Sequence, residues 1–170
     1  MKRRLSGRLG NRGIAILEFV IAAPAALLTL VAVAEFTAQF AVATALDFGA
    51  RKASRAGMTG TVDGTGNVAS DTLRKQVVVG AVLSGSGGML RPDKLTVNVT
   101  PYASISDAKM SQNPVGGATG GPGAAGQFVR YDLSYTQPFL LKDIAYLFLP
   151  VTQITHNSTI LVKNEPFPSN

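Results

Sequence analysis

Residues 14–34 read IAILEFVIAAPAALLTLVAVA and contain a single charged side chain, that of Glu18. At about 1.5 Å per residue, a helix over this stretch would span roughly 31 Å, which is close to the hydrocarbon thickness of a bilayer. The stretch therefore predicts a helix that crosses a membrane. Pro24 lies inside it, and membrane helices tolerate such a proline, so a passive kink is favoured over a functional hinge.

Positive charge is concentrated before this apolar stretch. Five basic residues and no acidic residue precede Gly13: Lys2, Arg3, Arg4, Arg8 and Arg12. By the positive-inside rule, they predict a cytoplasmic N-terminus and an external location for everything after about Glu35. The rest of the chain carries eleven basic and ten acidic residues. Such a nearly neutral body lacks the clustered charge that binds phosphate backbones, so we expect no nucleic-acid partner.

Three kinds of N-terminal segment share this pattern of charge and hydropathy. The first is an uncleaved signal anchor. The second is a secretory signal peptide, in which residues 32–34, AVA, would be a small-x-small cleavage site that releases a soluble exported binding protein beginning at Glu35. The apolar run is long for a signal peptide, and helix-forming residues continue past Ala34, which favours a retained helix. The third is a segment cleaved after Gly13.

The third alternative depends on Glu18. A carboxylate in a membrane-spanning segment costs about 2.5–3.5 kcal/mol at mid-bilayer and usually has a partner. Cleavage after Gly13 would give Ile14 a free α-ammonium group, with Glu18 as the fifth residue of the new chain. Glu18 could then pair with the ammonium group of a neighbouring subunit and set the axial stagger of packed helices. Spacing alone equally allows Glu18 to lie at the headgroup level, where water would solvate it.

Further residues extend the pattern beyond the apolar stretch. In order, the pattern consists of Gly13, Glu18-Phe19, Pro24, a second acid before an aromatic residue at Glu35-Phe36, and an Ala-rich helix with Ala50-Arg51 and Arg55. This pattern resembles the TadE-like family of minor pilins and pseudopilins, which are type IV pilin-like subunits of the tight-adherence pilus. The C-terminal segment 162–167, VKNEPF, is similar to the end of family members. The resemblance covers about the first third of the chain plus this tail, and it does not separate a TadE from a TadF type.

The resemblance implies a function. It implies a non-catalytic minor pilin or pseudopilin that acts in assembly of a type IVb-like pilus. A prepilin peptidase would cleave between Gly13 and Ile14, and Glu18, Phe19 and Pro24 would be the assembly and recognition residues. The partners would be the inner membrane, this peptidase and other pilin and pseudopilin subunits. The protein would cross the bacterial inner membrane once, with its C-terminal domain in the periplasm, or be incorporated into an extracellular pilus.

The expected organisation has three parts: a basic leader over residues 1–13, a transmembrane helix that continues outside the membrane over 14–56, and an extracytoplasmic domain over 57–170. In the external part of the helix, apolar residues recur at three- and four-residue steps. We expect Leu46 and Phe48 to lie in the core of the domain. The small residues Ala41, Ala43 and Ala45 would suit close helix contact in an oligomer.

The rest of the domain alternates turns with short periodic segments. A second helix is predicted from Ser70 or Asp71 to about Val82, and Gly-rich residues 113–127 predict a long mobile loop. Apolar and polar residues alternate over three predicted strands, 95–99, 129–135 and 154–162. Residues 139–149 predict a short amphipathic helix that lies against the membrane or the sheet. The expected fold is α+β, a pilin-like long helix packed on a small antiparallel sheet.

Sites for catalysis, metals or cofactors are not apparent. The chain has no cysteine and one histidine, His156, which we place on a strand facing solvent. One histidine and scattered acids do not supply a metal site, a catalytic triad or paired carboxylates. Residues 63–67, DGTGN, lack the ligand positions of a calcium loop and predict a turn. We therefore expect no enzyme activity, no cofactor, no metal and no small-molecule substrate.

Overall fold

The computed structural model describes residues 9–59, 71–116, 121–143, 146 and 150–166. Within these residues, the α-helices and strands are α1 (Leu9–Met58), α2 (Asp71–Gly85), β1 (Leu95–Tyr102), α3 (Ile105–Met110), β2 (Phe128–Pro138) and β3 (Gln153–Lys163), and a short 3-10 helix, Pro92–Lys94, precedes β1. The chain divides into two compact units, Met1–Ala38 and Gln39–Asn170, which we call the N-terminal unit and the C-terminal unit. Helix α1 contributes residues to both.

In the N-terminal unit, α1 has the length and composition of a membrane span. Its most apolar 18-residue window is not buried at all. Thr29 and Thr37 donate their hydroxyl hydrogen bonds to the helix's own carbonyl oxygens, those of Ala25 at 2.9 Å and Val33 at 2.8 Å. Such bonds let a hydroxyl group sit in an apolar segment without an outside partner. The predicted apolar helix near the N-terminus is confirmed.

In the C-terminal unit, α1 buries one face. Val42, Leu46, Ala50 and Ala53 follow one another at three- and four-residue steps and are all buried. This spacing places them on one side of the helix. They pack in one hydrophobic core with Val78 and Val82 of α2 and with side chains of the sheet.

The sheet has three antiparallel strands in the order β1-β2-β3. Its register aligns Val99 with Tyr131 and Tyr131 with Ile160. Alternate residues of β2 are buried, namely Val129, Tyr131, Leu133 and Tyr135. One face of the sheet therefore packs in the core with α1 and α2, and the opposite face carries mostly polar side chains. The predicted α+β fold, a helix packed on a small antiparallel sheet, is confirmed.

Three polar contacts show that β3 runs in the same direction as α1. His156 Nε2 lies 2.8 Å from Gln39 Oε1 at one end, and the Ser158 hydroxyl donates to Asp47 Oδ1 at 2.6 Å in the middle. At the other end, the Glu165 amide donates to the Met58 carbonyl at 3.1 Å. The prediction that His156 faces solvent is wrong. It lies opposite Tyr135, so the register turns its side chain toward the helix, where it is half-buried.

Other predictions were partly wrong. Leu46 is 1% exposed as expected, but Phe48 is 58% exposed. Residues two positions apart point about 200° apart on a helix, so these two cannot face one core. Ala45 is buried in the C-terminal unit's own core. Helix α3 was not predicted, although the Ser104 hydroxyl accepts from the Asp107 amide as an N-cap.

The segment predicted as a helix over residues 139–149 is described in part. Lys142, Asp143 and Tyr146 have helical conformation, and residues 144–145 and 147–149 lie outside the described residues. The predicted strands extend to Leu95–Tyr102, Phe128–Pro138 and Gln153–Lys163.

Helices α1 and α2 approach closely at two glycines. A Cβ atom added to Gly49 would lie 2.7 Å from the Val82 carbonyl oxygen, and one added to Gly85 would lie 3.0 Å from Gly49 Cα. Both contacts involve backbone atoms, which cannot move aside as a flexible side chain would. Gly80 of α2 is also helical, but a Cβ atom there would meet nothing within 4 Å.

Gly49→Ala is therefore expected to lower the free energy of unfolding by about 1–3 kcal/mol, because the added methyl overpacks the helix contact. Gly80→Ala should raise it by about 0.5–1 kcal/mol, because alanine loses less backbone entropy on folding. Thermal unfolding of the full-length variants in detergent micelles checks both signs. Stabilisation by both substitutions would contradict the close helix contact.

Candidate functional site

The predicted processing and assembly residues all lie on α1 in the N-terminal unit. A Cβ atom at Gly13 would meet nothing within 4 Å. Ile14 is 65% exposed and Phe19 is 70% exposed, and Glu18 and Pro24 are exposed as well. The five residues are neighbours along one helix, and all of them belong to the N-terminal unit.

Glu18 differs from the other polar side chain of residues 14–34. The Thr29 hydroxyl is bonded to the Ala25 carbonyl. Among the described residues, none forms a hydrogen bond or ion pair with the Glu18 carboxylate. In a bilayer such a carboxylate requires a cationic or hydrogen-bonding partner, or a position at the interface. Within the apolar segment, the Glu18 carboxylate is thus the group that requires a partner or water from outside this helix.

In the C-terminal unit, α1 also carries exposed aromatic side chains. Phe40 is 74% exposed, and Phe48 lies two turns further on. The next turns add the exposed side chains of Arg51 and Arg55. At 100° per residue, these four residues lie on the side of the helix opposite the buried face. The outer side of α1 is therefore an apolar and basic strip whose side chains are not part of the core of the unit.

A cluster of buried polar groups connects α2, the Gly-rich segment and the C-terminal residues. Arg74 Nη1 donates to the Gly123 carbonyl at 2.7 Å. Asn164 Nδ2 donates to the carbonyls of Pro122 at 2.8 Å and Ala124 at 3.1 Å. Arg74 and Asn164 are both buried. We call Arg74, Asn164 and the three carbonyl groups that they bind the polar clamp. The 113–127 segment was predicted to be mobile, but its residues 121–127 are held by this clamp, and residues 117–120 lie outside the described part.

Tyr131 lies in the core near the C-terminal end of α1. A Cβ atom at Gly57 would collide with its hydroxyl oxygen, so only glycine fits at that position of the helix. The hydroxyl group is buried and has no hydrogen-bond partner among the described residues. Burial raises the pKa of Tyr131 from 10.0 to about 12, and the nearby positive charge of Arg74 opposes part of that rise.

This pKa predicts a loss of stability at alkaline pH. An unfolded chain gives up the tyrosine proton near pH 10 and the folded protein near pH 12, so folding becomes less favourable as pH rises between them. The loss should reach about 2 kcal/mol by pH 12. Tyr131→Phe should remove this part of the pH dependence and leave stability at pH 7 equal or higher by about 1 kcal/mol. Urea unfolding of both proteins in micelles at pH 7 and pH 11 measures the difference, and parallel losses would contradict the assignment.

The clamp residues and Tyr131 are structural positions that the sequence analysis did not single out. The resemblance of the tail did include Asn164, without a role. A basic residue on the apolar face of a predicted helix, as at Arg74 between Leu73 and Val77, is the signal that could have pointed to a buried charge. Among the described residues, no group of three or more histidine, cysteine or acidic side chains could hold a metal. Residues 63–67 lie outside them.

The predicted assembly residues and the buried polar residues therefore have different surroundings. The N-terminal group has an exposed carboxylate on an apolar helix, and the C-terminal group holds a folded unit together. Comparison of the chain with protein-family models, with curated proteins and with solved structures finds no match.

Proposed function

We propose that this protein is a non-catalytic minor pilin or pseudopilin that acts in assembly of a tight-adherence, type IVb-like pilus. It would be anchored in the bacterial inner membrane by α1, with the C-terminal unit in the periplasm, and would be processed by a prepilin peptidase between Gly13 and Ile14. Other pilin and pseudopilin subunits would be its partners.

One observation carries this proposal. A single continuous helix, α1, is apolar and unburied in its first half and forms part of a folded core in its second half. An ordinary anchor needs no acidic group in its membrane segment, whereas this one has the exposed carboxylate of Glu18. Such a carboxylate suits a helix that packs beside copies of similar helices, because each neighbour can supply a cation.

The mechanism proposed for Glu18 is electrostatic. Cleavage after Gly13 would expose the α-ammonium group of Ile14, and Glu18 lies about one helical turn from it. In a packed bundle within the membrane, the carboxylate of one subunit would pair with the ammonium group of the next. Interactions between charges are much stronger in such a medium than in water. The pair would therefore fix how far one helix is displaced along another.

The outer side of α1 in the C-terminal unit supports lateral packing outside the membrane. Phe40 and Phe48 are exposed and two turns apart. Large aromatic side chains are costly to leave in water and are enriched where proteins bind one another. In this proposal they would continue the contact between neighbouring subunits beyond the lipid.

The N-terminal residue of the mature protein tests the proposal. Intact-mass measurement and N-terminal sequencing of the protein purified from its own cells should find a chain that begins at Ile14. Gly13→Val should leave the full leader in place, because a peptidase that requires a small residue there would no longer cleave. The added side chain has open space around it. The folded unit should therefore be unaffected.

Two other results would contradict the proposal. A chain that begins at Glu35 would indicate the alternative, an exported soluble binding protein released after Ala34. A leader that remains intact in cells with an active prepilin peptidase would indicate a simple membrane anchor.

A further inference from the structure

The connection between β2 and β3 carries four large apolar side chains that are exposed. Leu140, Leu141, Tyr146 and Val151 are between 45% and 64% exposed. Phe139, at the start of the connection, is buried, and its amide donates to the Thr152 carbonyl at 3.0 Å. The sheet thus closes the base of the connection, and these four described apolar side chains are exposed. Exposed apolar side chains grouped on one segment usually mark a place of contact with a protein or a membrane.

This connection lies at one particular end of the C-terminal unit. β3 leaves it at Gln153, and three residues later His156 meets Gln39, the first residue of the unit. The opposite end of the unit is marked by the contact between Glu165 and Met58. Nineteen residues of α1 and nine of β3 separate these ends, which corresponds to roughly 30 Å. The exposed apolar connection is therefore at the end where α1 enters the unit.

The same end adjoins the membrane if α1 spans it. The apolar stretch ends at Ala34, and α1 continues without a break to Gln39. Five residues of helix cover about 7.5 Å, which is about the thickness of one headgroup region. Because Gln39 follows the apolar stretch by only five residues, the chain itself keeps this end of the unit close to the lipid surface. This step depends on the membrane anchoring in the proposed function, and it does not depend on the pilus.

The side chains at this end suit a lipid surface. Tyrosine is enriched at membrane interfaces, where its ring is apolar and its hydroxyl group stays wet. Lys142 is exposed next to Leu141 and can extend its ammonium group toward anionic headgroups while its methylene groups remain among apolar atoms. Apolar side chains with a neighbouring lysine are typical of segments that lie in the interface plane.

We infer that the β2–β3 connection is a second membrane contact, which inserts Leu140, Leu141, Tyr146 and Val151 into the headgroup region of the membrane that α1 spans. The contact would hold the C-terminal unit against the bilayer before it joins a fibre. The sequence allowed this segment to lie either against the sheet or against the membrane. The inference favours the membrane.

Single-cysteine labelling tests the contact in the full-length protein, because the chain has no cysteine of its own. Leu141→Cys and Tyr146→Cys would each carry a small fluorophore after reconstitution into vesicles of phosphatidylethanolamine and phosphatidylglycerol. Met110→Cys is the matched control, since Met110 is also exposed and apolar but lies on α3, which follows the Tyr102 end of β1. Val20→Cys reports on α1 itself.

Labels at 141 and 146 are expected to be quenched by lipids that carry a nitroxide at the headgroup. The expected depth of the labels in the membrane interface is about 5–10 Å. Quenching by iodide in the water should be several-fold weaker at both positions than at 110. Equal iodide quenching at 110, 141 and 146 would overturn the inference. So would labels at 141 and 146 that neither quencher reaches, because that result would mean contact with protein. A label at 20 that is quenched within the acyl chains shows that the anchoring stands even if the surface contact fails, whereas a label at 20 open to iodide means that the anchoring has failed.

Discussion

Glu18→Ala is expected to abolish recovery of the protein in fibres sheared from the cell surface, while the protein stays in the membrane. Removal of the carboxylate favours insertion by up to about 2.5–3.5 kcal/mol, so the anchor itself should not suffer. The partner ammonium group of a neighbouring subunit would, however, be left without its countercharge. Loss of one member of a buried ion pair costs about 3–5 kcal/mol, which corresponds to a decrease in incorporation of roughly 100-fold or more.

Immunoblots of sheared fibres and of inner membranes measure this effect. Thr29→Val is the matched control, because it also removes a polar group from the apolar segment, but one whose hydrogen bond is to its own helix. Glu18→Gln separates the need for charge from the need for a hydrogen-bond acceptor. Recovery of Glu18→Ala in fibres at the level of the original protein would refute the assembly role of Glu18 and support a solvated residue at the headgroup level.

Asn164→Ala is expected to destabilise the C-terminal unit by about 3 kcal/mol, which is a decrease in melting temperature of roughly 10 °C. The Asn164 side chain supplies two hydrogen bonds to the carbonyls of the Gly-rich segment, and its replacement leaves those buried acceptors with fewer donors. The backbone bond from the Asn164 amide to the Gln127 carbonyl, at 2.8 Å, would remain. The damage should therefore be local at first and should release residues 121–127 from α2.

Asn157→Ala provides the control for this substitution. Asn157 lies on β3 and is exposed. Its replacement removes the same amide group as Asn164→Ala but no buried hydrogen bond. Thermal unfolding in micelles and limited proteolysis of the Gly-rich segment should both distinguish the two variants. Melting temperatures that agree within about 2 °C would show that the polar clamp does not hold the segment.

Local patterns were sufficient to predict most of the elements. A run of apolar residues longer than twenty predicts a membrane-spanning helix through its length, and alternation predicts strands through the two-residue period of a sheet. These signals arise from neighbours in the chain, so α1, α2 and the three strands could be predicted without tertiary contacts. Helix α3 was missed because it is short and its N-cap, Ser104, was not recognised.

The face that each helix residue presents was harder to predict. Leu46 and Phe48 are both apolar, and hydropathy gave no reason to separate them. The structure buries Leu46 and exposes Phe48 because the sheet covers one side of α1 only. The same applies to His156, whose half-buried position follows from its alignment with Tyr135 and its contact with Gln39.

The contacts of the polar clamp could not be predicted from local sequence patterns. Arg74 and Gly123 are 49 positions apart, and Asn164 and Pro122 are 42 positions apart. No periodicity relates residues at such separations, because their contact depends on how α2, the sheet and the C-terminal residues pack. The apolar helix, its single acid and the α+β class follow from the order of residue types along the chain, since solvent preference and backbone period act locally. The inner and outer sides of α1, the buried hydrogen bonds and the exposed connection at the entry end come from packing, since they require groups distant in sequence to meet.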